Sequence, residues 1–370
     1  MNEIHMAGPW ITEDDINIVN DALRNGWYGK EAYHYVELFQ KEFAAYHGRK
    51  YGIMTPNCST AIHLLMKGLN IGPGDQVIAP DVTWIGSVAG IKWAGATTIL
   101  SDIDEHNWCL SPDTAEDDIT TKTKAIITVN LHGNMSDMDR LIELSEEYDI
   151  PLIEDAAQSL GSTYRGIRSG KFGIASVFSF HRTKTITTGE GGMILTDDDD
   201  LYERCMFLRD HGRSKTKAYW IDEIATKYMP FNVQAAMGYA QFLRIDQLVD
   251  KKREQLKLYK DLLSDVPDLQ FNAEPSYVKN GAWVTGIIIG KSHGMEKEEL
   301  IARAAKIGVP LRPFFYPLSS MEPYEKEPCS MSYNSVAYDI SERGINLPCA
   351  FNLTEDQMRF VCNGIKSILL

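Results

Sequence analysis

The sequence predicts an α/β protein: a large domain on a mainly parallel sheet, residues 1–245, followed by a smaller α+β domain, residues 246–370. Three observations lead there. Short apolar stretches alternate with amphipathic helical ones through the first two-thirds of the chain, the pattern of a parallel sheet covered on both faces. Polar residues collect just after those apolar stretches, at the strand ends where ligands gather in such sheets. Beyond about residue 240 the alternation stops, and charged helices mix with a stretch rich in proline and tyrosine.

In order along the chain, Tyr51–Thr55 (YGIMT) reads as a strand. Residues 58–69 follow as a helix, with Ile62, Leu65, Met66 and Leu69 near helical spacing. Residues 76–79 (QVIA) make a strand before Pro80, and residues 90–94 close the next helix. Further strands are expected at 97–100, 125–129, 152–153 and 175–180, with a helix over 137–148. The acid run 197–200 reads as a solvated helix start. Residues 248–263 form a long charged helix, a connector to the second domain. That domain holds a strand over 283–289, a helix over Lys297–Lys306, the Pro- and Tyr-rich stretch 312–324, and a last helix after Thr354.

Composition bounds the function. A chain of 370 residues, 44% hydrophobic and 24% charged, is an ordinary globular one. Six cysteines at 58, 109, 205, 329, 349 and 362 form no C-x-x-C pair, so disulfide frameworks and the usual zinc spacings are absent. They read as reduced thiols in a cytoplasmic protein. The start, MNEIHMAGPWITEDD, has no basic and apolar leader, and no apolar run reaches the ~18 residues of a membrane span. A formal net charge of −14 disfavours nucleic acid as a partner. It leaves a phosphorylated ligand open, because helix N-termini and a few placed side chains hold one phosphate.

Four elements carry chemistry. Asp155, in IEDAAQSLG, follows an apolar strand; it is either a cap or loop carboxylate or a buried acid holding a cationic nitrogen. Lys184, in SFHRTKTITTGEGG, lies between aromatic strand residues and the glycine-rich turn at 189–192. It is either a surface charge or a desolvated amine able to form a Schiff base. Ser179, just upstream, can offer a hydroxyl to a phosphate. Residues 57–61 (NCSTA) open a helix with small polar groups, which serve equally as a cap or an anion site. Trp84, in PDVTW, either packs or lies flat on an aromatic ring. Together they meet the needs of pyridoxal phosphate: an amine for its aldehyde, an acid for its ring nitrogen and an anion site.

The same segments, PNCSTAIHL, IEDAAQSLG, SFHRTKTITTGEGGM, NVQAAMG and RPFFYPL, resemble the sugar-nucleotide aminotransferases of the DegT/DnrJ/EryC1/StrS family over nearly the whole chain. The resemblance implies a fold-type I, pyridoxal-phosphate-dependent homodimer with active sites at the subunit interface. It makes Lys184 the Schiff-base lysine and Asp155 the pyridinium partner. Gln158 is then near the ring oxygen, Ser59, Thr60 and Ser179 bind phosphate, and Trp84 stacks on the ring. Lys227 fits the residue that reaches the partner's cofactor phosphate, although Met229 stands where Arg, Lys or Asn is common. Cys58 replaces a usual glycine. A dehydratase branch carries His in place of the lysine, so Lys184 argues against it. A regulator that lost turnover is the other rival, and neither Lys184 nor Asp155 is damaged.

The opening GPWITEDD, the NGWYG segment and RPFFYPLSS look most like members acting on the C4 ketone of a 6-deoxyhexose, with L-glutamate as amino donor and 2-oxoglutarate as its product. A C3 ketone is the alternative. The substrate-binding candidates are Trp27, Tyr28, Gly29, His181, Arg312 and Tyr316, and packing is the other reading for Trp27, Phe314 and Phe315.

Overall fold

The computed structural model describes residues 3–324 and 334–370, so Cys329 lies outside the described residues. Among the described residues fourteen strands follow in chain order. They are β1 (Tyr51–Thr55), β2 (Gln76–Pro80), β3 (Thr97–Ser101), β4 (Thr123–Val129), β5 (Leu152–Asp155), β6 (Thr163–Tyr164) and β7 (Ile167–Arg168). After these come β8 (Ala175–Ser179), β9 (Gly192–Thr196), β10 (Leu269–Phe271), β11 (Val278–Lys279), β12 (Gly286–Ile289), β13 (Arg312–Pro313) and β14 (Gly344–Asn346).

Seven of them form the central sheet in the order β1-β9-β8-β5-β4-β2-β3. The pairs from β3 across to β8 are parallel, and β9 runs antiparallel to both its neighbours. Sequence reading missed β9. Its GMILT segment hides behind the glycine-rich turn, and all five residues are buried, so no polar alternation marks it. A strand's side chains alternate between faces. Ile53, Val177 and Ile194 therefore pack with Ile62, Leu65 and Met66 on one side, while Met54, Phe178 and Met193 meet Phe39 and Phe43 on the other. Burial on both faces is why these strands read as continuous apolar runs.

Caps set the helices. The Asn57 side chain accepts from the Thr60 amide and starts the helix Cys58–Gly68. Asp198, inside the acid run, does the same for Asp199–Arg209, while Asp197 pairs with Arg49 and Lys171. Thr354 and Gln357 form a reciprocal capping box for Glu355–Leu369. The expected connector is the helix Ile245–Leu262.

A four-stranded sheet, β10-β12-β14-β13, carries a third core of Ile287, Ile289 and Ile345 against Leu300, Val361 and Ile365. The strand expected over 283–289 begins only at Gly286, which leaves Trp283 in the preceding loop. Several contacts tie this part to the central sheet, among them a bridge and a buried carboxylate. Val82 bridges Pro317. Asp81, buried after β2, accepts from the Ser319 amide at 2.8 Å, the Ser319 hydroxyl at 2.6 Å and Asn334 Nδ2 at 2.9 Å.

Candidate active site

A cavity of about 910 Å³ opens where the carboxyl ends of β1, β2, β5 and β8 face the segments around β13 and β14. The central sheet thus brings four distant pieces of sequence to one place.

Asp155, the last residue of β5, is 1% exposed. Its Oδ1 accepts from the Ala157 amide at 3.0 Å, and the Ser87 hydroxyl also bonds to the carboxylate. Burial pushes its pKa up; these hydrogen bonds and Lys184 pull it back down. Lys184 leaves the loop after β8 with its amine in the cavity. Burial lowers its pKa from 10.5 to about 8, against the opposing pull of Asp155 and Cys58. The Lys184 Nζ lies 3.8 Å from the centroid of the Trp283 ring.

The candidate anion site stands at the opening of the helix Cys58–Gly68. Among the described residues the amides of Cys58 and Ser59 and the Ser59 hydroxyl have no hydrogen-bond partner. Among the described residues Ser179 Oγ, at the end of β8, accepts only from the His181 amide at 3.3 Å. Two glycines allow the close approach this needs. A Cβ on Gly86 would meet Ser59 Oγ and Trp84 Cδ1 at 2.9 Å, and one on Gly192 would meet the Asn57 carbonyl carbon at 2.5 Å. Trp84 is 61% exposed at the cavity wall and tilts toward Phe315, with ring centroids 6.3 Å apart. Gln158 Oε1 accepts from the His132 amide at 3.0 Å; its Nε2 has no partner among the described residues and is left for a ligand.

These groups fit pyridoxal phosphate. A buried acid, a desolvated amine, free amides with two hydroxyls, a flat aromatic and an unused amide nitrogen line one cavity whose glycine cradle has no room for a side chain. The cavity matches a family as well. The sequence profile of the DegT/DnrJ/EryC1/StrS aminotransferase family matches residues 9–366. The chain belongs to the DegT/DnrJ/EryC1/StrS aminotransferase family. It is 36% identical over 369 residues to the GDP-perosamine synthase of Escherichia coli O157:H7, covering 99% of this chain and 98% of that one. The GDP-perosamine synthase of Vibrio cholerae is 33% identical over 365 residues, covering 97% of each chain. Spr1654 from Streptococcus pneumoniae in its PLP form superposes with a TM-score of 0.91 at 27% identity, covering 99% of this chain and 98% of that one. As a member of the DegT/DnrJ/EryC1/StrS family the protein is a fold-type I, pyridoxal-phosphate-dependent transaminase.

The cavity gathers Ser59, Trp84, Asp155, Gln158, Ser179, His181, Lys184, Arg312 and Tyr316 of the expected residues. Thr60 is turned to the helix cap instead, its hydroxyl donating to the Asn57 carbonyl at 2.9 Å. Trp27, Tyr28 and Gly29 lie off this chain's own cavity; Trp27 is 59% and Tyr28 86% exposed. Lys227 is likewise outside it, with its amine 2.5 Å from Asp210 Oδ1. Four residues escaped sequence reading: Arg182, Ser87, His132 and Trp283. Arg182 lines the cavity with no side-chain partner among the described residues. Its place two residues before Lys184 in HRTK was the available signal. Nothing local marks Trp283, which sits in another part of the chain.

Proposed function

We propose that this enzyme moves the amino group of L-glutamate onto the C4 ketone of a nucleotide-linked 6-deoxyhexose, with GDP as the nucleotide. The product would serve cell-surface polysaccharide such as O-antigen. The observation that carries the reading is the Lys184–Asp155 pair at the base of a cavity whose far wall is aromatic and cationic. Relatives named GDP-perosamine synthase, 33–36% identical over nearly the full chain, support the nucleotide and the amino-sugar product.

Pyridoxal phosphate, when bound, supplies an aldehyde that accepts nitrogen and a cationic ring that draws electron density. The chain's residues do the rest. Ser59, Ser179 and the amides of Cys58 and Ser59 hold a phosphate at the helix start. Asp155 would hold the cofactor's ring nitrogen and stay ionised there, because an adjacent opposite charge would outweigh its burial. Lys184 Nζ takes the proton from the donor Cα and returns one to the acceptor carbon, a role that suits an amine with a pKa of about 8. Arg312 offers a bidentate fork to a diphosphate, and Phe315, Tyr316 and Trp84 offer faces to a sugar. His181, held by Thr183 Oγ1 at 2.9 Å and near Glu190, borders the same space. Binding the remote nucleotide would then position the ketone.

We also propose that the active unit is a cytoplasmic homodimer in which Trp27, Tyr28, Gly29 and Lys227 serve the partner's cavity. Exposed Leu23, Trp27, Tyr28, Ile224 and Phe231 support a covered face. Among the described residues no helix is long and apolar enough to cross a membrane.

The test is a panel of 3-keto and 4-keto sugar nucleotides on GDP, dTDP and UDP, incubated with glutamate and read by mass spectrometry. The GDP-linked 4-keto-6-deoxyhexose should be aminated fastest. Arg312→Ala should weaken its use while the glutamate half-reaction stays nearly intact. A faster 3-keto acceptor would move the ketone assignment, and equal loss in both half-reactions would place Arg312 with the cofactor or the donor.

A further inference from the structure

Transamination requires Lys184 to let go of the cofactor and later take it back, so the freed amine needs somewhere to wait. It carries a proton for part of that time. A resting place that accepted this proton, or that bonded the amine tightly, would slow its return.

The structure shows what surrounds the Lys184 amine. The titratable groups facing it are Asp155 at the end of β5, Cys58 at the helix start, His132 in the loop after β4 and His181 in its own loop. On the remaining side stands the Trp283 ring, with Lys184 Nζ 3.8 Å from its centroid. An indole face attracts an ammonium electrostatically and accepts no proton. Trp283 is also fixed to the lysine's own loop, since its Nε1 donates to the Thr183 carbonyl at 2.7 Å. Behind it the His132 ring lies 6.0 Å away, itself packed edge-on against Phe314 at 4.7 Å and Trp108 at 6.2 Å. His132 is wholly buried, and neither ring nitrogen has a partner among the described residues. Burial drives its pKa down to about 3, so it adds no second positive charge beside Lys184. Its amide bonds Gln158 and its carbonyl accepts from Asn272 Nδ2 at 2.7 Å, which ties the aromatic stack to both halves of the site.

We propose that Trp283 is a positioning residue for the catalytic lysine: its indole face holds the protonated Lys184 amine whenever that amine is not bonded to the cofactor. The proposal rests on the transamination reading above. The aromatic face does the holding; the hydrogen bond to Thr183 ties the indole to the lysine's loop without being needed for it.

The test uses holoenzyme that excess L-glutamate has charged with nitrogen, the state in which Lys184 is free. Trace labelling with acetic anhydride across pH, followed by peptide mapping, gives the labelling midpoint of Lys184. Compared are wild type, Trp283→Phe, which keeps a face and loses the N–H, and Trp283→Leu, which loses both. Removing the face should lower the midpoint by about one pH unit, since a desolvated cation–π contact is of that order. The Phe variant should stay near wild type, and the half-reaction that returns nitrogen to an acceptor should slow about tenfold in the Leu variant only. Equal midpoints in all three proteins, each charged by glutamate, would overturn the role of Trp283 alone. A Phe variant that behaves like Leu would assign the effect to the Thr183 hydrogen bond and overturn it too. A wild type that takes no nitrogen from glutamate would instead overturn the reaction on which the proposal depends.

Discussion

Asp155 and Lys184 each had two readings in sequence, and the difference between them is environmental. A carboxylate at a strand end is an ordinary cap until its surroundings remove water. Here Asp155 is 1% exposed, yet its only cap-like bond goes to Ala157. Replacing it with Asn should leave cofactor bound and cut turnover by about 10²-fold or more, because the charge opposing the ring nitrogen is lost. Near-normal turnover would return Asp155 to the role of a turn residue. Lys184 makes a separate prediction. Its pKa lies below the ordinary lysine value, near 8, so the neutral amine is scarce below that pH and dominant above it. At saturating glutamate, kcat should rise with pH up to about 8 and level off beyond. A profile still climbing at pH 9.5 would mean the amine is not desolvated as the cavity implies. Borohydride reduction of the holoenzyme should place the adduct on Lys184, and a different labelled lysine would remove the assignment. Thr60 shows the opposite case: its residue type suited a phosphate, but the helix cap it serves had the prior claim on its hydroxyl.

At the scale of elements, the helix Cys58–Gly68 does two jobs through one residue. Asn57 caps it by accepting from Thr60 N at 2.9 Å, and the turn so formed presents the amides of Cys58 and Ser59 to the cavity. Asn57→Ala should therefore cost about 1 kcal/mol of stability and also weaken cofactor binding, measured by titration of the cofactor-free protein. Thr354→Ala breaks a comparable capping box that lies away from the cavity. It should cost a similar amount with cofactor affinity unchanged. Equal affinity in the two variants would separate the cap from the phosphate site. Most elements were legible because periodicity and caps are local. β9 was not, since burial on both faces erased its alternation, and the strand before Ile289 was overextended because Trp283 and Val284 have β-forming side chains that the loop uses for the site instead.

For the whole molecule, one chain leaves Trp27 and Tyr28 off its own cavity, and Lys227, expected to reach the partner's site, lies off it too. Mixing Lys184→Ala chains with Lys227→Ala chains decides the matter. If Lys227 acts in the partner's site, a mixed dimer has one site with both defects and one with neither, and activity should recover above either parent. Absence of recovery, with subunit exchange shown by mass spectrometry, would confine Lys227 to its pairing with Asp210. The sequence by itself determined the alternating architecture, the cofactor motifs and the family, because each rests on short-range patterns: apolar spacing, caps, and an acid and an amine after strands. Only the tertiary structure decided which residues share the cavity. Trp283 stands over Lys184, Asn334 and Ser319 hold Asp81, and His132 props the aromatic wall, across separations of about a hundred residues or more in each case. Such contacts follow from strand order and from the docking of the second sheet, which depend on the packing of the whole chain and leave no periodic trace in any one segment.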